Sequence, residues 1–102
     1  MKKTLMIAAV ALCTVGTAGS AEASAIERAC LKSDRQQVSR SLCGCIQHVA
    51  DVTLSRRDQR VAASFFRDPH RAQEIRQSGS ARDSQFWTRY RAFGRSAQTY
   101  CN

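Results

Sequence analysis

The chain has 102 residues, of which 16 are Lys or Arg and 8 are Asp or Glu, so its formal net charge at pH 7 is +8. A chain of this length holds one small domain, whose hydrophobic core gives only marginal stability without further cross-links. We find no Ser/His/Asp arrangement, no paired-carboxylate motif and no glycine-rich phosphate loop in it. We therefore expect no catalytic residues, no cofactor and no enzymatic activity.

The first 23 residues have the features of a secretory signal peptide. Two lysines precede the apolar run TLMIAAVALCTVG, and small residues follow it, an order that is typical of a cleaved export signal. The run is shorter than the roughly 18 to 20 residues that cross a bilayer as a helix, and no later segment is apolar enough to span a membrane. We predict cleavage after Ala23, with Ala21 and Ala25 as alternative ends, and a single helical domain at 24–102 that is periplasmic or secreted.

Cleavage would change both the cysteine count and the charge. Cys13 would be removed, which leaves Cys30, Cys43, Cys45 and Cys101. An even number of cysteines in an oxidising compartment predicts two disulfides. Of the 16 basic and 8 acidic residues, the removed segment carries two and one, so the mature net charge becomes +7.

The spacing of apolar residues after the signal peptide predicts helices throughout, because no stretch alternates as a half-buried strand would. We predict an all-α fold, a small disulfide-stapled bundle of about four to five short helices around a central helix. A short helix is expected around 25–31, followed by the central helix at 37–54. The predicted apolar stripe of the central helix is Val38, Leu42, Cys45, Val49 and Val52.

The second half of the chain predicts three more helices. Ser55 and Asp58 resemble a capping box at the start of the first of them. The apolar residues of that helix are Val61, Ala62, Phe65 and Phe66. Asp68 can cap the next helix, with Pro69 in its first turn, and a Ser-Gly-Ser loop ends it. The last helix is expected at 82–100. Its apolar stripe is Phe86, Tyr90, Phe93, Ala97 and Cys101, with Trp87 beside it.

Helical geometry limits how the cysteines can pair. At about 100° per residue, Cys43 and Cys45 point nearly opposite ways around the central helix and cannot easily bond each other. Each must therefore reach a different partner, and the partners are Cys30 and Cys101. We favour Cys30–Cys43 and Cys45–Cys101, because Cys45 shares the predicted core stripe while Cys43 lies on the far side. The opposite pairing stays open.

Cys45 and His48 share one helix face at a spacing of three residues, which suggests a copper or zinc site as an alternative to the disulfides. Cys43 points away from that face, and no second histidine is nearby in the sequence. A thioredoxin-like redox pair would need two residues between the cysteines, at a helix start after a strand. We therefore predict no metal site, keep Cys/His metal binding as an alternative function, and interpret His48 and His70 as exposed helix residues.

Arginines fall on the predicted outer faces of the helices in the second half of the chain. In the last helix, projection places Phe86 and Tyr90 inward while Arg91 and Arg95 point outward. Guanidinium groups in such positions are suited to bidentate contact with phosphate or carboxylate. The candidate anion-binding residues are Arg56, Arg57, Arg60, Arg67, Arg71, Arg76, Arg91 and Arg95.

A cationic, exported helical domain predicts polyanionic partners. In a cell envelope these are anionic surfaces, formed by lipid headgroups and lipopolysaccharide phosphates, or an acidic protein partner. Nucleic acid would bind through charge alone and without specificity. We therefore predict a non-enzymatic binding or interaction protein of the cell envelope.

Three segments of the chain resemble a family of short exported bacterial proteins without an established function, which often carry the automatic name "arginine transporter". The segments are CGCIQHVADVTLS, DQRVAASFFRDPHRAQEIRQS and FWTRYRAFG, followed by a terminal Cys, and the similarity runs from about Cys30 to Cys101. The resemblance implies export and cysteine pairing. It also suggests an accessory or binding role in arginine or amino-acid uptake as an alternative function, although a +7 surface repels a cationic ligand unless an acidic pocket attracts it.

Overall fold

The computed structural model describes residues 24–34 and 38–101, and within them it contains five α-helices and no strand. The helices are α1 (Ala25–Lys32), α2 (Arg40–Thr53), α3 (Arg56–Arg67), α4 (Pro69–Gln77) and α5 (Ala81–Tyr100). The prediction of an all-α, disulfide-stapled bundle is confirmed. The predicted signal peptide and the predicted start of the central helix at Gln37 lie outside the described residues.

Serine caps begin three of the helices. Ser39, Ser55 and Ser80 each accept a hydrogen bond at Oγ from the backbone N–H three residues later. The donors are Leu42 at 3.0 Å, Asp58 at 3.1 Å and Asp83 at 3.1 Å. Each such cap is worth about 1 kcal/mol relative to alanine, which is why these helices begin where they do.

Two predicted caps differ from the structure in detail. Ser55 caps α3 as predicted, but the carboxylate of Asp58 does not complete a capping box because it binds Arg89 of α5 instead. Asp68 occupies the N-cap position of α4 and Pro69 its first turn, as predicted, yet the Asp68 side chain makes no capping hydrogen bond. The fixed φ of proline suits the first turn of a helix without one.

The helices enclose one core, built largely on α3 and α5. Helix α3 packs against α1, α4 and α5, while α2 packs against α1 and α5. Phe65 meets Phe86 edge to face at 6.0 Å and Tyr90 at 5.1 Å between ring centroids. On α5, Phe86 and Phe93 are buried, and Tyr90 and Ala97 pack beside them. The predicted stripe of the last helix is therefore the inward face of α5.

Of the predicted core stripe of α2 only Val49 is buried, and the prediction is wrong for the rest. Val52 is 74% exposed, and Val38 precedes the helix, because the cap at Ser39 begins it later than predicted. The buried residues of the helix are Cys43, Gln47, Val49 and Ala50. Three of them, Cys43, Gln47 and Ala50, recur at helical spacing on a face nearly opposite the predicted stripe. Cys43, which was predicted to lie on the far side, is fully buried.

A pair of buried glutamines holds α1, α2 and α3 together. Gln47 donates to Gln59 Oε1 and to Asp51 Oδ1, both at 2.8 Å, and its own Oε1 accepts from the backbone N–H of Glu27 at 2.9 Å. Gln59 Nε2 donates to the carbonyl of Leu54 at 3.2 Å. Because these polar groups satisfy one another, a polar residue can occupy the core face of α2.

Candidate anion-binding surface

All eight arginines predicted to bind anions are exposed. They lie on three consecutive helices: Arg56, Arg57, Arg60 and Arg67 on α3, Arg71 and Arg76 on α4, and Arg91 and Arg95 on α5. On α3 and α5 they fall outside because alanine and aromatic side chains take most of the inward face, and α4 has no fully buried residue at all. Their exposure is as predicted, and anion binding itself stays a prediction.

A first groove of about 320 Å³ runs between α1 and α3, and we call it the α1–α3 groove. Its cationic residues are Arg28 and Lys32 of α1 and Arg60 and Arg67 of α3, and its small residues are Ala25, Ala29 and Ala63. On α3 the lining residues are three, four and seven positions apart, and on α1 they fall within one face of two successive turns, so one face of each helix meets the other. Sequence reasoning missed Arg28 and Lys32, because their groove exists only where α1 packs on α3.

A second groove of about 460 Å³ lies where α3, α4 and α5 meet, and we call it the three-helix groove. Four arginines line it: Arg57 from α3, Arg71 from α4, and Arg82 and Arg89 from α5. Its remaining lining residues are Asp58, Asp83, Gln85, Val61, Ile75 and Phe86. Sequence reasoning missed Arg82 and Arg89. The available signal was their spacing of seven residues on α5, which places them on one helix face with Phe86 between them.

Asp58 and Arg89, which both line the three-helix groove, form a two-point ion pair. Arg89 Nε donates to Asp58 Oδ2 at 2.6 Å, and Nη2 donates to Oδ1 at 3.2 Å. The Asp58 side chain is 10% exposed and that of Arg89 is 48% exposed. The hydrogen bonds that Arg89 donates to Asp58 are the main reason that the pKa of Arg89 lies above its ordinary value; desolvation lowers this pKa, and the negative charge of Asp58 raises it further. The pair fixes α5 on α3.

The other three arginines of this groove are available to a ligand. No hydrogen bond or ion pair joins the guanidinium group of Arg57, Arg71 or Arg82 to another residue of the described part of the chain. With four arginines against Asp58 and Asp83, the groove carries a formal charge of +2. Three such groups, one from each of three helices, therefore face a shared space with an excess of positive charge.

A third groove, between α2 and α5, has a different character. It measures about 380 Å³ and is formed by Cys45, His48, Val49, Val52, Thr53, Ser96 and Tyr100. Val52 and Tyr100 are 74% and 75% exposed. No Arg, Lys, Asp or Glu lines this α2–α5 groove, so the cations are concentrated elsewhere on the described surface.

The four cysteines form the two disulfides that were favoured. Cys30–Cys43 links α1 to α2, and Cys45–Cys101 links α2 to the end of α5. The prediction that Cys43 and Cys45 bond different partners is confirmed. The reason given for preferring this pairing was wrong, since Cys43, and not Cys45, lies on the buried face of α2.

Disulfide formation removes the thiolates that a metal site at Cys45 would need. Among the residues that the structure describes, no three His, Cys, Asp or Glu side chains are grouped so that they could hold a metal ion. His48 and His70 are both exposed. His70 lies one helical turn from Glu74, with 3.9 Å between Nε2 and Oε1.

No protein-family model, curated protein or solved structure matches the chain. Within 24–34 and 38–101, no helix is both long enough and apolar enough to cross a bilayer.

Proposed function

We propose that the protein is an exported, non-enzymatic binding module whose cationic surface attaches it to anionic surfaces of the cell envelope. The observation that carries this proposal is the exposure of all eight candidate arginines, with further cations in the α1–α3 and three-helix grooves. Guanidinium groups contact phosphate and carboxylate through two parallel hydrogen bonds and are weakly hydrated, so they suit a phosphate-rich surface.

The distribution of the cations favours a broad anionic surface over a single acidic protein partner. Arginines lie on α3, α4 and α5, and two more cations of the α1–α3 groove lie on α1. A protein interface usually centres on apolar residues that become fully buried. The most exposed large apolar side chains that are described, Val52 and Tyr100, lie in the uncharged α2–α5 groove, away from the arginines.

The expected strength follows from the number of cations that touch the surface. Each basic residue close to an anionic leaflet contributes about 1 kcal/mol. Three or four arginines in simultaneous contact favour an anionic surface over a neutral one by roughly 100- to 1000-fold. Binding of this kind is reversible and depends on ionic strength.

Two features support the export part of the proposal. Disulfides form and persist in oxidising compartments such as the periplasm, and the chain holds two of them in 79 residues after the predicted cleavage site. The amino-terminal 23 residues carry the pattern of a secretory signal peptide, and the resemblance to short exported proteins agrees with it.

The test is co-sedimentation with lipid vesicles. Protein expressed from the full chain and purified from the periplasm should bind vesicles that contain phosphatidylglycerol and leave neutral phosphatidylcholine vesicles unoccupied. Lipopolysaccharide should compete for the bound protein. Equal binding to neutral vesicles would contradict the proposal, and retention by an acidic protein column but by neither anionic lipid would favour the acidic protein partner.

The alternative role in arginine uptake has less support from the site. A pocket for free arginine would need carboxylates that face an open space and lack a cationic partner. In the three-helix groove Asp58 already binds Arg89, and Asp83 stands among four arginines. The electrostatics of this groove therefore favour an anion over a cation.

A further inference from the structure

Building on the proposed function, we infer that the three-helix groove is a binding site for the phosphomonoester headgroup of an envelope lipid. The site consists of Arg57, Arg71 and Arg82, which come from three different helices and line one space of about 460 Å³. The remaining exposed arginines add general attraction to an anionic surface, whereas this groove selects the headgroup.

Convergence from three helices distinguishes this groove from a charged helix face. Arg57 lies in the first turn of α3, Arg71 in the first half of α4, and Arg82 in the first turn of α5. These three arginines lie near one another because the three helices pack together and because the ion pair between Asp58 and Arg89 joins α3 to α5. Because the packed helices already hold these three arginines around one space, binding a small anion needs no rearrangement of the backbone, and only the side chains are ordered on binding.

The charge of the groove matches a phosphomonoester better than a phosphodiester. The four arginines and two aspartates leave a formal charge of +2, and a phosphomonoester carries about −1.5 to −2 near pH 7 with three strong acceptor oxygens. A phosphodiester offers one negative charge and two terminal oxygens. Three guanidinium groups can thus each reach an oxygen of the monoester, and one of them lacks an equivalent partner on the diester.

The rest of the groove fits the carbon part of an amphiphile. Val61 and Ile75 are half-buried and Phe86 is buried, and together they provide an apolar wall beside the arginines. A bound inorganic ion would leave these apolar side chains exposed to water. A headgroup attached to glycerol or a sugar covers part of it and gains from burying apolar surface.

The experiment compares two lipids and two double variants. Vesicles that contain phosphatidic acid and vesicles that contain phosphatidylglycerol are matched in zeta potential, so that surface charge alone cannot separate them. The wild-type protein should bind the phosphatidic acid vesicles about tenfold more tightly, as one additional charge-assisted hydrogen bond implies. Arg71→Gln/Arg82→Gln should lose this preference.

Arg91→Gln/Arg95→Gln is the matched control, because it removes the same charge from the exposed outer side of α5. It should weaken binding to both lipids alike and keep the preference. Arg57→Gln provides an independent variant of the groove. All of these arginines are exposed, and an unchanged unfolding midpoint would show that each variant is folded.

The inference is overturned if the wild type shows no preference between the two lipids, or if the two double variants behave alike. Either result leaves the proposed function standing, provided that anionic vesicles still bind and neutral ones do not. Absence of binding to both anionic lipids would overturn the inference and the proposed function together. Soluble glycerol 3-phosphate should bind at least about tenfold more weakly than the vesicles, and equal binding would overturn the assignment to a lipid.

Discussion

Gln47 is the residue whose removal most directly tests how the core is held together. It is 6% exposed, and it makes hydrogen bonds to Gln59, Asp51 and the backbone N–H of Glu27 at 2.8 to 2.9 Å. Gln47→Ala removes all three. The Gln59 Oε1 atom is then buried without this donor, and the first turn of α1 loses an acceptor for one of its N–H groups.

The cost can be worked out from the groups that lose their partners. A buried polar group without a partner costs about 1–3 kcal/mol, and Gln59 is only 3% exposed. Glu27 is half-buried, so water can reach its N–H in part and its contribution lies at the lower end. We expect Gln47→Ala to lower the free energy of unfolding by about 2–4 kcal/mol, a large share of the stability of so small a domain.

Urea unfolding with both disulfides intact measures this difference. Gln73→Ala is the matched control, because Gln73 is an exposed glutamine in the middle of α4, and it should change the free energy by less than about 0.5 kcal/mol. The double variant Gln47→Ala/Gln59→Ala should cost less than the sum of the single variants, since fewer groups are left unpaired. If Gln47→Ala unfolds like the Gln73→Ala control, the interpretation of the glutamine pair is refuted.

Three further predictions concern the disulfides, the core and the ligand. Protein purified from the periplasm should contain no free thiols, and mild reduction should open the half-exposed Cys45–Cys101 bond before the buried Cys30–Cys43 bond. Alkylation followed by peptide mapping would show the order of opening. The reverse order, or a peptide that contains a Cys43–Cys45 bond, would contradict this prediction. Phe86→Ala should cost about 3 kcal/mol or more through lost packing, and a loss of under about 1 kcal/mol on urea unfolding would show that the aromatic cluster is not the core. Free arginine at millimolar concentration should give no saturable heat in calorimetry, whereas a stoichiometric isotherm would support the uptake alternative.

The helices could largely be predicted from local signals in the sequence. Serines stand immediately before α2, α3 and α5, and Pro69 stands at the start of α4, so that local capping chemistry and helical spacing agree along the chain. The aromatic stripe of α5 could also be predicted from the sequence, because large apolar residues recur on one face of the helix and such a face is usually buried.

The orientation of α2 could not be predicted in this way. Reasoning from sequence expects apolar residues to be buried and polar residues to be exposed. It therefore placed Val52 in the core and did not place Gln47 there, whereas Val52 is 74% exposed and Gln47 is 6% exposed. Gln47 can be buried because Gln59 Oε1 on α3 accepts a hydrogen bond from it and the backbone N–H of Glu27 on α1 donates one to it. A partner that is distant in sequence leaves no local pattern, so the hydropathy of α2 indicated the wrong face. That Cys43 and Cys45 bond different partners was nevertheless predicted correctly, because it depends only on the two side chains pointing apart on one helix. The choice between the two remaining pairings agreed with the structure although it relied on the wrong face of α2.

The sequence was enough to predict which arginines are exposed, but it was not enough to predict which of them line a common groove. Exposure of each arginine follows from the helical projection of its own segment. Membership of a groove depends on which helices are neighbours, and that is why Arg28, Lys32, Arg82 and Arg89 were missed. The ion pair between Asp58 and Arg89 spans 31 residues and is likewise invisible to local reasoning.

The central claim is that the outer arginines bind anionic envelope surfaces through charge, and salt dependence tests it most directly. The dissociation constant for phosphatidylglycerol vesicles would be measured while sodium chloride rises from low salt past about 0.15 M, where the Debye length falls to about 8 Å. We expect the affinity to fall progressively over this range and the binding to fade beyond it. An affinity that does not change with salt would contradict the account.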